Sequence, residues 1–82
     1  MMELKRAIAL RISNLMVKNK IKSQYAVWNK AGISETALRH IINEDYESIK
    51  LATLIKVCDG LGVTLQEFFD DDLFKRDNLN ID

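Results

Sequence analysis

The sequence predicts an all-α domain of five short helices and no β-strand. Three observations carry this prediction. Apolar residues recur at helical spacing along most of the 82 residues. The chain has no proline and only three glycines, so little interrupts helix formation. Serine or threonine, which cap helix N-termini, precedes each of the last four apolar segments.

The predicted helices follow one another through short connections. Gly32 supplies the left-handed residue that a tight turn after the second helix needs, and Gly62 stops the fourth helix. Thr64 and Glu67 have the spacing of a capping box, in which each side chain accepts a hydrogen bond from the other residue's backbone N–H. The predicted ranges are about 3–18, 24–31, 34–43, 49–61 and 65–69, with Ser48 capping the fourth helix.

The core is expected to combine one apolar stripe from each helix, because segments this short are not stable alone. Cys58 is expected to be a small buried apolar residue rather than a reactive thiol. With a single cysteine, no intramolecular disulfide is possible, which suits a reducing cytoplasm. The predicted core members are Ile8, Ile12, Leu15, Val27, Ile33, Leu38, Ile41, Leu51, Leu54, Ile55, Leu61, Leu65 and Phe68.

Charge is distributed unevenly although the chain is neutral overall. Residues 1–66 carry ten basic and six acidic side chains, a net charge of +4, whereas residues 67–82 carry two basic and six acidic ones, a net charge of −4. This pattern predicts a domain at 1–70 that is compatible with phosphate binding. It also predicts that the acidic tail at 71–82 lies away from the bound phosphate. No apolar run approaches the length of a membrane span, so we expect a cytoplasmic protein with no membrane partner.

The segment from Ser34 to Asn43 has two different faces when it is drawn as a helix. Leu38, Ile41 and Ile42 fall on one side, and hydrogen-bonding residues fall on the other. Such side chains are suited to base edges and phosphates. A helix before it, joined through Gly32, completes a unit that inserts its second helix into a major groove. The outward residues of the second helix are Thr36, Arg39, His40 and Asn43.

Phosphate contacts are expected from the helix that precedes this segment. Gln24 stands at its N-terminus, where free N–H groups favour an anion. Three flanking lysines would add unspecific attraction to phosphate; they are Lys20, Lys22 and Lys30.

The run from Ser23-Gln24 through Ala31-Gly32-Ile33-Ser34 to Ile41-Ile42-Asn43 resembles the phage repressor and Cro family, often called the XRE family. Leu61-Gly62-Val63-Thr64-Leu65 is similar to the end of that family's domain. The resemblance covers about residues 8–69 and implies a five-helix lambda-repressor-like DNA-binding domain. It also implies phosphate contacts from Gln24, which can brace a base-reading side chain, and from Asn43. The positions of Ser34, Glu35 and Thr36 imply contacts to base edges, and those of Arg39 and His40 imply contacts to bases or phosphates.

Three positions leave alternatives open. Trp28 stands where the family has a small residue, so it either swings over the recognition helix, widens the helix crossing or lies at the edge of the core. Glu35 either complements the helix dipole or accepts from a cytosine amino group. His40 is either a neutral hydrogen-bonding residue or a pH-dependent charge near DNA.

The predicted function is sequence-specific DNA binding with transcriptional repression. The alternative is a protein-interaction module on the same fold, supported by the neutral net charge, by Trp28 and by the apolar residues of the tail. An enzyme is not expected, because one histidine and one cysteine offer no acid–base pair, and neither a metal nor a cofactor is expected. We expect a homodimer formed through the fifth helix and the apolar residues of the tail, which are Leu73, Phe74, Leu79 and Ile81.

Overall fold

The helices of this computed structural model, which describes residues 1–81, lie close to the predicted ranges. They are α1 (Leu4–Lys18), α2 (Gln24–Ala31), α3 (Glu35–Ile42), α4 (Leu51–Leu61) and α5 (Leu65–Phe69). The five predicted helices are therefore confirmed. The main difference is the start of α4, where Lys50 and not Ser48 is the N-cap residue. Tyr46 and Ile49 pack against the core and keep the preceding segment irregular.

Side-chain caps begin three of the helices as the sequence predicts. The Ser23 hydroxyl accepts from the Ala26 N–H at 3.2 Å, and the Ser34 hydroxyl accepts from the Ala37 N–H at 3.0 Å. At α5 the capping box is complete, because the side chains of Thr64 and Glu67 each accept from the other's N–H at 3.0 Å. The bond from the Thr64 N–H lowers the pKa of the Glu67 carboxyl. These bonds fix where the short helices start.

The buried core runs through all five helices and confirms most of the predicted members. Leu51 and Ile55 are corrections, because they are 59% and 43% exposed. The buried side of α4 is formed by Leu54, Val57, Cys58 and Leu61, which places Leu51 and Ile55 at its edge. Ile33 and Leu65 are only half-buried against the core. Cys58 is buried as predicted.

A short parallel strand pair corrects the expectation of no β-structure. Strand β1 (Met2–Glu3) pairs with β2 (Leu79–Asn80), with Met2 opposite Leu79 and Glu3 opposite Asn80. The pair forms because the end of the chain returns beside its start, and Leu79 becomes buried there. With two residues in each strand, the pair leaves the domain an all-α fold.

The acidic tail packs against its own domain. In the tail, the centre of the Phe74 ring lies 5.8 Å from that of the Phe68 ring and 4.7 Å from that of the Phe69 ring. Two turns of 3₁₀ helix, Asp72–Phe74 and Arg76–Asn78, lead from there to β2. Of the apolar tail side chains, Leu79 is buried and Ile81 is 49% exposed. The last tail residue, Asp82, lies outside the described part of the chain.

The backbones of helices α2 and α4 lie in close contact at Gly60. A Cβ atom at Gly60 would lie inside the van der Waals contact distance of the Val27 carbonyl oxygen, and 3.1 Å from the Cβ of Ala31. Only glycine lets the two backbones approach this far. Gly60 therefore fixes the distance at which α2 lies from α4.

We expect Gly60→Ala to lower the free energy of unfolding by about 1–3 kcal/mol, because α2 must move away from α4. Urea denaturation followed by circular dichroism measures the change. The intrinsic helix preference acts in the opposite direction, since alanine favours a helix by about 1 kcal/mol over glycine. Ala52→Gly, on the exposed side of α4, is the control that measures this preference. A Gly60→Ala protein as stable as the parent would contradict the close contact.

Cys58 should make stability depend on pH in the alkaline range. Burial, followed by the charge of Asp59, raises the pKa of the thiol from 9.0 to about 11. The folded state thus favours the neutral thiol, and this contribution is complete below pH 9 and is lost as the pH rises towards about 11. We expect the free energy of unfolding to fall more steeply over this range in the parent than in Cys58→Ala. Equal slopes in the two proteins would contradict the assignment.

Candidate nucleic-acid interface

The recognition helix α3 is held by one face and open on the other. It packs against α1 and α2, and its Leu38 and Ile41 side chains are 0% and 5% exposed. The turn that leads into it contains Gly32 at φ 72°, in the left-handed region that the sequence requires there. The outward face of α3 therefore has a fixed position relative to α2, and its Glu35, Thr36, Arg39 and His40 side chains stay exposed among residues 1–81.

All ten side chains predicted to contact DNA are exposed to solvent. Glu35, Thr36, Arg39 and His40 lie along α3, with Ser34 and Asn43 as its two cap residues. Gln24 is the first residue of α2. Exposure makes these side chains accessible to a ligand and by itself does not identify one. The complete set is Lys20, Lys22, Gln24, Lys30, Ser34, Glu35, Thr36, Arg39, His40 and Asn43.

The structure separates one of the lysines from the recognition helix. Lys30 lines a shallow depression with Asn19 and Gly62, between the α1–α2 loop and the turn before α5. No residue of α3 lines this depression. Lys20 and Lys22 instead precede the N-terminus of α2, where Gln24 stands. The basic residues predicted to surround the motif thus fall into two groups.

The C-terminal end of α3 is closed tightly, and sequence reasoning missed the residues that close it. Glu44 adopts a left-handed φ of 60°, and the Asp45 N–H donates to the His40 carbonyl at 2.8 Å. The Glu44 carboxylate pairs with the Arg6 guanidinium of α1 at 3.2 Å. This pair neutralises an acidic group next to the recognition helix, where a free carboxylate would repel phosphate. No local sequence signal points to it, because the partners lie far apart in the chain.

Trp28 lies at the edge of the core, as one of the three interpretations of this position proposes. It is half-buried against the core, and its ring meets that of Tyr25 edge-to-face at 4.8 Å. Tyr25 follows Gln24 and is 59% exposed, and it is not among the residues predicted for the site. The aromatic pair therefore lies next to the N-terminus of α2.

One ion pair lies on the outward face of α3. An oxygen of Glu35 lies 3.8 Å from Nη1 of Arg39, one helical turn further on. Both side chains are mostly exposed, at 67% and 52%. The pair brings together two residues that the sequence had marked as separate candidates for base contacts.

Within residues 1–81 no group of three or more histidine, cysteine or acidic side chains lies close enough to hold a metal ion. None of the helices in the same range has both the length and the apolar character needed to cross a membrane.

The geometry of α2, turn and α3 defines a helix-turn-helix protein. Residues 11–72 match the family model described as a Cro/C1-type HTH DNA-binding domain. The match covers well over half of the chain, so the protein belongs to this family of DNA-binding regulatory domains. The resemblance to the phage repressor and Cro family is thereby confirmed. No curated protein and no solved structure matches the chain significantly.

Proposed function

We propose that this DNA-binding domain recognises a specific double-stranded sequence and represses transcription by occupying it. The observation that supports the proposal is the two-sided α3, fixed through Leu38 and Ile41 and open along its polar face. Such a helix can enter a major groove without rearrangement of the domain. Occupancy alone blocks other proteins, so the proposal includes no catalytic step, and its place is the cytoplasm.

The proposed contacts divide into base contacts and phosphate contacts. The first turn of α3 presents Ser34, Glu35 and Thr36 to base edges, and Arg39 and His40 follow in the next turn. Gln24 binds a phosphate at the N-terminus of α2, where it is the first residue of the helix. Asn43 binds a second phosphate at the other end of the motif. Lys20, Lys22 and Lys30 supply attraction that does not depend on sequence.

A protein-interaction module remains the second candidate function. The exposed apolar side chains Leu51 and Ile55, together with the neutral net charge, favour it. The two functions differ in their response to salt, because phosphate binding weakens steeply as the salt concentration rises. Binding to mixed genomic DNA at several salt concentrations separates them.

We also propose that the protein acts as a homodimer, because one recognition helix contacts too few base pairs to find a site in a genome. The sequence assigned the contact to the tail and the fifth helix. Since Phe74 and Leu79 pack within their own domain, we centre the contact on Ile81 and Leu4, which line the same depression and are 49% and 38% exposed.

Substitutions in the motif should weaken DNA binding in two different ways. We expect Arg39→Ala to cost about 1–3 kcal/mol at a selected site and to relax specificity at one base pair. Gln24→Ala should weaken binding to all sequences more evenly, because phosphate contacts carry no sequence information. Fluorescence anisotropy with selected and mixed DNA measures both effects.

Lys56→Ala is the matched control, because Lys56 is an exposed basic residue on α4 outside the proposed site. It removes one positive charge, as Arg39→Ala does, and should keep the base preferences of the parent. If the double variant Gln24→Ala, Arg39→Ala binds selected DNA as tightly as the parent, the motif is not the DNA site.

The dimer is tested by sedimentation velocity at micromolar concentration. We expect Ile81→Ser to shift the protein towards the monomer, because it removes an apolar side chain from the proposed contact. Val17→Ser is the control: Val17 is 80% exposed on α1 and does not line that depression. A parent protein that is already monomeric, or an Ile81→Ser variant that dimerises equally well, would show that the proposed contact is wrong.

A further inference from the structure

Glu35 and Arg39 form an ion pair on the outward face of α3 that contributes little to the stability of the fold. The two side chains are mostly exposed, and the atoms Glu35 Oε1 and Arg39 Nη1 are 3.8 Å apart. An exposed pair of this kind contributes little to stability, because water screens the charges and both side chains lose freedom. Stability is therefore a weak reason for placing these two residues on the outward face of α3.

A carboxylate is an unusual group to bring into a DNA groove. Phosphate groups repel the carboxylate. On the base edges, only amino groups donate hydrogen bonds to it, and the N4 amino group of cytosine is the usual partner of Glu. The Arg39 guanidinium has five N–H donors, so the carboxylate can engage one side and leave others free. At 3.8 Å, Glu35 thus partly neutralises Arg39 and leaves its N–H donors available.

We propose that Glu35 and Arg39 act as one unit that recognises two neighbouring G·C base pairs. Arg39 donates to O6 and N7 of a guanine, and Glu35 accepts from N4 of a cytosine in the adjacent pair. The inference rests on the proposed DNA-binding function and deepens it, by stating what part of the bound sequence α3 selects.

The spacing of the two residues supports adjacent pairs rather than a single pair. Residues four apart are separated by about 6 Å along a helix. Successive base pairs are about 3.4 Å apart along DNA. Because the Arg39 side chain extends back towards Glu35, the separation at the side-chain ends is shorter than at the backbone. One base-pair step is the separation that fits.

The unit contributes to specificity and little to general affinity. Its two charges cancel, so it adds almost nothing to the attraction of phosphate. At the two correct base pairs, the charged groups of Glu35 and Arg39 replace their hydrogen bonds to water with hydrogen bonds to the bases. At a wrong base one of them is left without a partner in a desolvated groove, which is strongly unfavourable. The pair therefore excludes incorrect sequences more than it strengthens binding to DNA in general.

The test uses the full chain and DNA fragments selected by the parent protein from a random pool. Dissociation constants are then measured for the selected site and for single base-pair changes, with the parent, Glu35→Gln, Arg39→Ala and the double variant. We expect the parent to discriminate by about tenfold or more at two neighbouring G·C pairs. Glu35→Gln should reduce the discrimination at the cytosine to about threefold or less, and Arg39→Ala should do so at the guanine.

Two further results are expected if the residues act together. The losses of binding free energy at the selected site caused by the two single substitutions should add up to more than the loss in the double variant, because either change breaks the unit. Glu35→Gln should also bind mixed DNA several-fold more tightly at low salt, since it frees Arg39 for phosphate. Asp77→Asn, which removes an exposed acidic group from the tail, is the control and should keep the base preferences of the parent.

The outcomes separate this inference from the function on which it rests. A parent that selects no sequence overturns both. If the parent selects a site and the Glu35→Gln variant keeps all of its base preferences, the unit is overturned and DNA binding is left intact. The same conclusion follows if the effects of the two single substitutions are additive and fall at base pairs that are not adjacent. Because both side chains are exposed, all variants should keep the melting temperature of the parent to within a few degrees, and circular dichroism verifies this before binding is measured.

Discussion

The contact between α2 and α4 at Gly60 is the constraint on which the rest of this structure depends. An eight-residue helix is not stable alone, so α2 and α3 keep their shape only through the surfaces they bury. Helix α2 reaches the core because Gly60 lets its backbone lie against α4 at Val27 and Ala31. Helix α3 is then placed by α2 and α1. The position of α3 thus depends on a residue without a side chain, which lies on α4, outside the motif.

Arg11 stabilises the other end of the domain. Its Nε donates to the Phe68 carbonyl at 2.8 Å and its Nη2 to the Glu67 carbonyl at 2.9 Å, while Nη1 pairs with Asp71 at 3.1 Å. These bonds satisfy the carbonyl groups at the end of α5, which has only five residues. They also direct the chain into the tail, where Phe74 packs against α5. One side chain of α1 therefore joins the fifth helix and the tail to the body of the domain.

Sequence patterns predicted those features that depend on contacts between residues close together in the chain. Ser23, Ser34 and the Thr64–Glu67 box gave the helix starts, because a cap is a contact within three residues. The segment of α4 was apolar on too many sides for its buried face to be identified, so Leu51 and Ile55 were wrongly assigned to the core. Periodicity alone does not orient a helix whose exposed side is also apolar.

Contacts between distant parts of the chain left no sequence signal. The strand pair of Met2–Glu3 with Leu79–Asn80 depends on the route of the tail, which only the assembled core determines. The same is true of Arg6 with Glu44 and of Arg11 with Asp71. At the candidate site, exposure agrees with the residues proposed from the motif. The pairing of Glu35 with Arg39 is different, because its i,i+4 spacing is a local signal that the sequence analysis did not use.

The arrangement of charges shows how a neutral chain can approach DNA. Arg6, Arg11 and Arg39 each lie in an ion pair, so within residues 1–81 these arginines offset nearby carboxylates instead of adding to a general positive field. Lys20 and Lys22 have no acidic partner in the same range, and they precede the helix that begins with Gln24. Two unpaired positive charges therefore lie next to the N-terminus of α2. In the DNA-binding function that we propose, random DNA is bound weakly and selectivity depends on how well the paired groups of α3 meet the base edges.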